Sequence, residues 1–239
     1  MIDIHCHILP DVDDGAKSWE VTLEMCRMAA ADGTTHIVAT PHANFEYRYD
    51  RAAHLALIDE VRARIADLGI NLALTLGCDF HLSFENIEDA LANPARYTIG
   101  DTRYLLIELS EYTIFHVTDS IFRLRSAGLE PILTHPERNP VLLKKQELVR
   151  EYVDAGAWVQ ITANSLTGFW GKHPQKMCES LLHQGLVHFI ASDAHGLRGR
   201  PPLLAAARMA AAKLVGEATA KRLVEDNPAA VLANQSLLG

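Results

Sequence analysis

The 239-residue chain lacks several features that mark whole classes of protein. Its four cysteines, Cys6, Cys26, Cys78 and Cys178, form no Cys-x-x-Cys pair and no framework spacing, so they read as reduced, mostly buried thiols of a cytoplasmic protein rather than a disulfide scaffold. No apolar run approaches about 18 residues, so no membrane span is expected. The opening MIDIHCHILP has neither a basic segment nor a long apolar run and reads as a first strand, not a signal peptide. There is no basic excess: the net charge of -8 argues against a general nucleic-acid or membrane-surface binder. An anionic substrate remains compatible, because a bound metal reverses the local field. No internal repeat, low-complexity segment or linker interrupts residues 1–239, which are expected to form a single domain.

What is present is an alternation. Strand-like runs at Ile2–His5, His36–Thr40, Asn71–Leu76, Tyr104–Glu108, Pro131–Thr134, Trp158–Thr162 and Val187–Ala191 are separated by helix-like segments. Several runs are continuously apolar, as in parallel strands covered by helices on both faces. The expected class is therefore α/β with a parallel sheet, closed or doubly wound. Trp19, Leu23, Cys26 and Ala30 give one helical stripe, ended at Asp32-Gly33, and Leu55, Ile58, Arg62, Ile65 and Leu68 give another. The tail is helical over Leu204–Leu214, with a break expected at Asp226-Asn227-Pro228.

Ligand-type residues gather at the C-terminal ends of the strands. Strand one ends in His5-Cys6-His7, strand two in Thr40-Pro41-His42, strand three in Gly77-Cys78-Asp79 and strand four in Ile107-Glu108. Strand five ends in Thr134-His135-Pro136 and the last in Ser192-Asp193-Ala194-His195. In extended chain, residues two apart face the same side, so His5 and His7 can face one metal while Cys6 points toward the helices; Asp193 and His195 repeat the pattern. The acidic loop Asp11–Gly15 can lend a further carboxylate. Imidazole with carboxylate suits Zn, Mn, Fe or Co. With 12 histidines in the chain, a chance His-x-His is expected roughly once, so no single motif decides. The coincidence of six strand ends, each with a ligand-type residue, points to metal. His36, His54, His116, His173, His183 and His188 are expected to be structural, and His81, two residues past Asp79, could face the site.

The segments MIDIHCHILPDVDDGAKSWEVTLEMCRMAAADGTTHIVATPH, YLLIELS, PILTHPER and FIASDAHGLRGRPP resemble the bacterial manganese-dependent protein-tyrosine phosphatases of the PHP (polymerase and histidinol phosphatase) superfamily, of capsule and exopolysaccharide gene clusters. The resemblance runs nearly end to end. It implies a distorted, TIM-barrel-like β/α barrel of about seven units holding three divalent metals. His5, His7 and Asp193 would bind one; Asp79 would bridge to a second held by Glu108 and His135; Asp14, His42 and His195 would hold the third. Asp79 stands where the family usually has Glu, and Phe169, in ITANSLTGFWG, where it has Arg. The implied reaction is hydrolysis of a phosphomonoester, most directly phosphotyrosine on a capsule-regulating kinase, with manganese the first choice of ion. No Cys-x5-Arg loop is present, so a thiol-phosphate mechanism is not expected. Arg138 and Arg200 are the candidate catalytic forks for phosphate, with Arg48 a weaker one.

Three other readings compete. A phosphatase of the same superfamily acting on a small phosphomonoester such as histidinol phosphate shares the metal chemistry. An amidohydrolase barrel also opens with His-x-His, but often uses a carbamylated lysine on a middle strand, where this chain has Glu108. A silent regulator would have lost several ligands, and only Asp79 deviates.

Overall fold

Apolar runs bounded by proline, glycine and polar turns set the strands. In the computed structural model, which describes residues 1–110 and 116–237, every expected strand is a strand. They are β1 (Ile2–Cys6), β2 (His36–Ala39), β3 (His42–Ala43), β4 (Ala73–Leu76), β5 (Asp79–His81), β6 (Tyr104–Glu108), β7 (Glu130–Thr134), β8 (Trp158–Thr162) and β9 (Phe189–Ala191). The helices are α1 (Trp19–Ala31), α2 (Arg51–Asp67), α3 (Phe84–Ala92), α4 (Val117–Ser126), α5 (Glu147–Asp154), α6 (Ala163–Leu166), α7 (Lys172–His183), α8 (Ala205–Val215), α9 (Glu217–Lys221) and α10 (Asn227–Leu232).

All the pairings between these strands are parallel, in two sheets ordered β1-β2-β4 and β3-β5-β6-β7-β8-β9. The fold is thus α/β with parallel sheets. The short β3 and β5, absent from the sequence reading, follow β2 and β4 after interruptions at Thr40-Pro41 and Gly77-Cys78. Proline cannot donate to a ladder. Gly77 packs so closely that a Cβ there would come 2.8 Å from Val38 Cγ1. These breaks hand the ends of two strands to the second sheet, where His42 is registered against Asp79. Beyond β9, Asp193 donates its backbone N–H to His5 O (2.8 Å), His7 donates to Ala194 O (2.9 Å), and Cys6 and Ala194 form an isolated parallel bridge.

The strands are buried on both faces. One face joins the helices in a core that includes Cys6, Ile37, Leu105, Ile107, Leu133 and Ile161. The other forms a smaller cluster of Ile4, Val38, Leu106, Ile132 and Phe189, completed by Val231 and Leu237 from the tail. Strict alternation would put Ile4 and Cys6 on one face. They lie in different clusters because β1 changes register against β2 between Asp3 and Cys6.

The helical stripes are found, but rotated. In α2 the buried residues are His54, Ile58, Val61 and Ile65, whereas Leu55 and Leu68 are exposed. Val61 takes the sheet-facing place expected of Arg62, whose guanidinium instead donates to Leu74 O (2.6 Å). In α1, Thr22, Met25, Cys26 and Ala29 are buried, and Thr22 Oγ1 donates to Ile8 O (2.8 Å). The expected break at Asp226–Pro228 does not occur. Residues Arg222–Asp226 form a π-helical stretch that runs into α10, and Pro228, which has no N–H to donate, sits just where the π pattern gives way to the α pattern. The interruption lies instead at Gly216 (φ +85°), between α8 and α9. His116, expected inside a helix, precedes α4 with φ +54°.

Candidate metal centre

Parallel strands present their C-terminal ends along one edge, and there the ligand-type side chains converge. His5 Nε2 lies 3.2 Å from His7 Nε2, 3.4 Å from Asp193 Oδ1 and 3.5 Å from Asp79 Oδ2. His42 Nδ1 lies 3.3 Å from the same Asp79 oxygen and 3.8 Å from Glu108 Oε2. Asp14 Oδ1 lies 3.4 Å from His42 Nε2 and 3.3 Å from His195 Nε2. His135 Nε2 lies 3.7 Å from Glu108 Oε1.

Four overlapping groups therefore have ligand atoms within 4.8 Å of one another: His5, His7 and Asp193; His5, Asp79 and His135; His42, Asp79 and Glu108; His7, Asp14, His42 and His195. All nine residues proposed from the sequence as metal ligands are thus brought together. His81, left open there, lies at the rim, its Nδ1 3.8 Å from Glu108 Oε2. His36 instead bonds Thr75 Oγ1 (2.7 Å), His188 accepts from Val159 N (3.1 Å), and His54 packs edge-on against Tyr49.

Local backbone explains the placement. His135 (φ +33°) and Asp193 (φ +50°) adopt left-handed conformations that few non-glycine residues accept. The acidic loop folds back on β1 through Ala16 N–H to His7 O (3.1 Å) and Asp11 N–H to Ala16 O (2.8 Å). A Cβ at residue 15 would collide with His7 O, so Gly15 permits this close approach.

The residues fit metal ions by two independent criteria. Both carboxylate oxygens of Asp79 and Nδ1 of His42 are buried without a hydrogen-bond partner, a cost that a cation would remove. The imidazoles carry support on the opposite nitrogen: His7 Nδ1 to Asp13 Oδ2 (2.8 Å), His5 Nδ1 to Gln160 Oε1 (2.9 Å) and His195 Nδ1 to Asp193 O (3.0 Å). This is the arrangement that fixes the tautomer of a ligating histidine. The charges of the cluster compensate one another, and a bound cation would take the place of the protons on His5 and His42. Burial disfavours the cation of His5, but Asp79 and Asp193 outweigh it and raise its pKa to about 9. For His42 the carboxylates of Asp14, Asp79 and Glu108 raise it to about 10 against the same opposition. Burial, aided by Arg138, lowers His135 to about 3. Burial and His7 lower His195 to about 4, leaving it neutral as a ligand requires.

Asp193 also gathers the two arginines. Arg138 and Arg200 both donate to its Oδ2, Arg200 at 2.6 Å. Burial opposes ionisation of Asp193, but His5 and the two guanidiniums hold its carboxyl well below the ordinary range. Arg138 lies 4.6 Å from the centroid of the Trp170 ring and Arg200 5.9 Å. Asp13, Gln160 and Trp170 are the residues that sequence reasoning did not assign. Asp13 was legible only as part of its loop, and the other two carry no local signal. The cysteines offer no nucleophile: burial pushes Cys26 up to about 12 and Cys6, Cys78 and Cys178 well above the usual thiol range.

A parallel α/β fold with a strand-end cluster of imidazoles and carboxylates places the chain among α/β proteins whose strand ends present a metal-ligand set. A family model for capsular polysaccharide synthesis, CpsB/CapC, matches residues 1–233, and the chain belongs to that family. Tyrosine-protein phosphatase YwqE from Bacillus subtilis (strain 168) is 36% identical over 202 residues, covering 84% of this chain and 79% of that protein. Tyrosine-protein phosphatase CpsB from Streptococcus pneumoniae is 33% identical over 245 residues, covering 98% and 99%. A solved structure from work on these two proteins, as metal-dependent tyrosine phosphatases, superposes with a TM-score of 0.94 at 33% identity, covering 100% of this chain and 96% of that one. Among the described residues, no helix is long and apolar enough to cross a membrane.

Proposed function

We propose that this chain is a metal-dependent phosphomonoester hydrolase that dephosphorylates phosphotyrosine on a kinase controlling capsule or exopolysaccharide synthesis. The observation that carries this reading is Asp79, whose two carboxylate oxygens are buried without a hydrogen-bond partner and whose Oδ2 lies 3.5 Å from His5 Nε2 and 3.3 Å from His42 Nδ1. Three ions are assigned, with manganese preferred over iron, zinc or cobalt. His5, His7 and Asp193 hold the first; Asp79 bridges to the second, with Glu108 and His135; Asp14, His42 and His195 hold the third. The groupings support the first and third sets; for the second, Asp79 groups separately with His5 and His135 and with His42 and Glu108, and His135 Nε2 lies 3.7 Å from Glu108 Oε1.

When bound, divalent ions here supply Lewis acidity toward phosphoryl oxygens and lower the pKa of a water toward neutrality. The chain's own residues orient the ester. Each guanidinium of Arg138 and Arg200 keeps N–H donors beyond the one given to Asp193, and these take phosphoryl oxygens in a fork. The same proposal includes a distorted β/α barrel of about seven units built as one domain over residues 1–239. The backbone bonds between β1 and the segment after β9 support it. A cytoplasmic location accords with four free, buried cysteines.

The deciding experiment is a parallel activity profile of metal-reconstituted protein. Phosphotyrosine peptides should be turned over with higher kcat/KM than histidinol phosphate or other small alkyl monoesters. A preference for histidinol phosphate would favour the small-substrate reading instead.

A further inference from the structure

Two cavities flank the metal centre and share Glu108 and Leu109 as a common wall. The wider, of about 490 Å³, is rimmed by Asp14, His42, Glu46, Tyr47 and His81. The narrower, of about 190 Å³, has a mixed lining, with Leu109, Leu142 and the indole of Trp170 beside Glu108, Arg138 and Asn139. A slot with one aromatic wall thus opens from the charged centre.

We propose that the narrower cavity receives the aromatic ring of the substrate ester and that Trp170 is its specificity residue, an inference that rests on the phosphatase reading above. Size supports it, since an apolar cavity of about 150 Å³ accommodates a benzene ring. Position supports it as well: Arg138 lies at the junction, so phosphate held by this guanidinium leaves the ester oxygen facing the slot. Trp170 is 38% exposed, yet its ring is oriented by the guanidiniums of Arg138 and Arg200. A pre-set aromatic wall loses little freedom when a second ring packs against it. A phosphoserine side chain, with a single methylene, would leave the slot filled with water. The slot therefore selects aryl over alkyl monoesters through burial of the leaving group.

Affinity for unreactive phosphonates tests this without the confounding effect of leaving-group chemistry. Phenylphosphonate and methylphosphonate are titrated by calorimetry into metal-loaded wild-type protein and the variants Trp170→Ala, Trp170→Phe and Tyr47→Ala, each checked for folding by circular dichroism. Wild-type protein should bind the phenyl compound at least about tenfold more tightly, as burial of a ring implies. Trp170→Ala should reduce that ratio to about threefold or less while leaving methylphosphonate affinity nearly unchanged. Trp170→Phe should retain most of the ratio, and Tyr47→Ala all of it. Equal binding of the two compounds by the wild type, or a ratio that survives Trp170→Ala, overturns the inference. So does a ratio lost only in Tyr47→Ala, which would place the ring in the wider cavity. Equal loss of both compounds in Trp170→Ala would show that Trp170 acts only through the arginines, which also overturns it. If wild-type protein binds neither phosphonate and leaves phosphotyrosine peptides intact, the phosphatase reading itself fails, a result distinct from all of these.

Discussion

The metal centre has a deep half and an outer half. His5, His7, Asp79 and Asp193 have side chains no more than 1% exposed. Asp14 is 44% exposed and Glu108 23%. The deep residues come from strand ends tied to one another by backbone bonds, and their imidazoles are braced by Asp13 and Gln160. Asp14 comes from a loop and Glu108 from the last residue of β6. The deep half is therefore pre-organised, because moving any ligand there would disturb the sheets. On the proposed assignment, the outer half would be the one to yield to substrate and to exchange its ion.

The largest effect expected from this contrast is in the deep half. His5→Ala and Asp193→Ala should each reduce turnover of a phosphotyrosine peptide by orders of magnitude, with loss of metal measured by elemental analysis. Cys6→Ser, one residue along the same strand but facing the helices, should leave most activity. Comparable losses in all three would show that the facing of residues along β1 is misread.

Asp79 joins the halves and comes next. Asp79→Asn should sharply lower both metal occupancy and hydrolysis, since a neutral amide offsets less positive charge. Asp79→Glu should be tolerated and His81→Ala should have a modest effect. If His81→Ala strips an ion while Asp79→Asn retains all of them, His81 is the ligand and the bridge is misassigned.

Bracing should matter less than ligation. Asp13→Ala, which frees the His7 ring without removing a proposed ligand, should weaken metal affinity by about 10–100-fold in a competition titration. A chelator should then distinguish the halves kinetically: ion release should be biphasic, and Asp14→Ala should abolish the faster phase. A single phase in the wild type would contradict the division.

The smallest effect lies away from the centre, at His188. Burial lowers its pKa from 6.5 to about 4, and its neutral Nδ1 accepts from Val159 N. Between these values the unfolded chain binds a proton that the folded chain does not. Stability is thus full above about pH 6.5 and declines as pH falls toward 4, by on the order of 1–3 kcal/mol. His188→Asn, which keeps an acceptor, should lose less stability than wild type between pH 7.5 and 5 in urea titrations.

The strands were legible because chain buried on both faces is apolar almost throughout, as at Tyr104–Glu108. The site was legible because parallel strands carry their final residues to a common edge, so His42, Glu108 and His135 could be placed without knowing the helices. β3 and β5 were not, since two or three residues after Pro41 or Gly77 leave no periodic pattern. Helix phase was lost where one turn offers two plausible stripes: Leu55 and Leu68 lie three residues from Ile58 and Ile65, His54 and Val61 lie four, and only the sheet surface decides between them. Gln160 lies inside an apolar strand and Trp170 beside a glycine turn. Their neighbours, His5 and Arg138, are distant in sequence.

The left-handed backbone at His135 and Asp193 has an evolutionary consequence. Glycine at either position would relieve about 1 kcal/mol of conformational strain, but at residue 193 it would also leave Arg138 and Arg200 without the buried carboxylate they share. Under selection for folding alone, residue 135 would therefore drift toward glycine while residue 193 kept its carboxylate, and libraries screened only for heat resistance should recover glycine at the first position and not at the second.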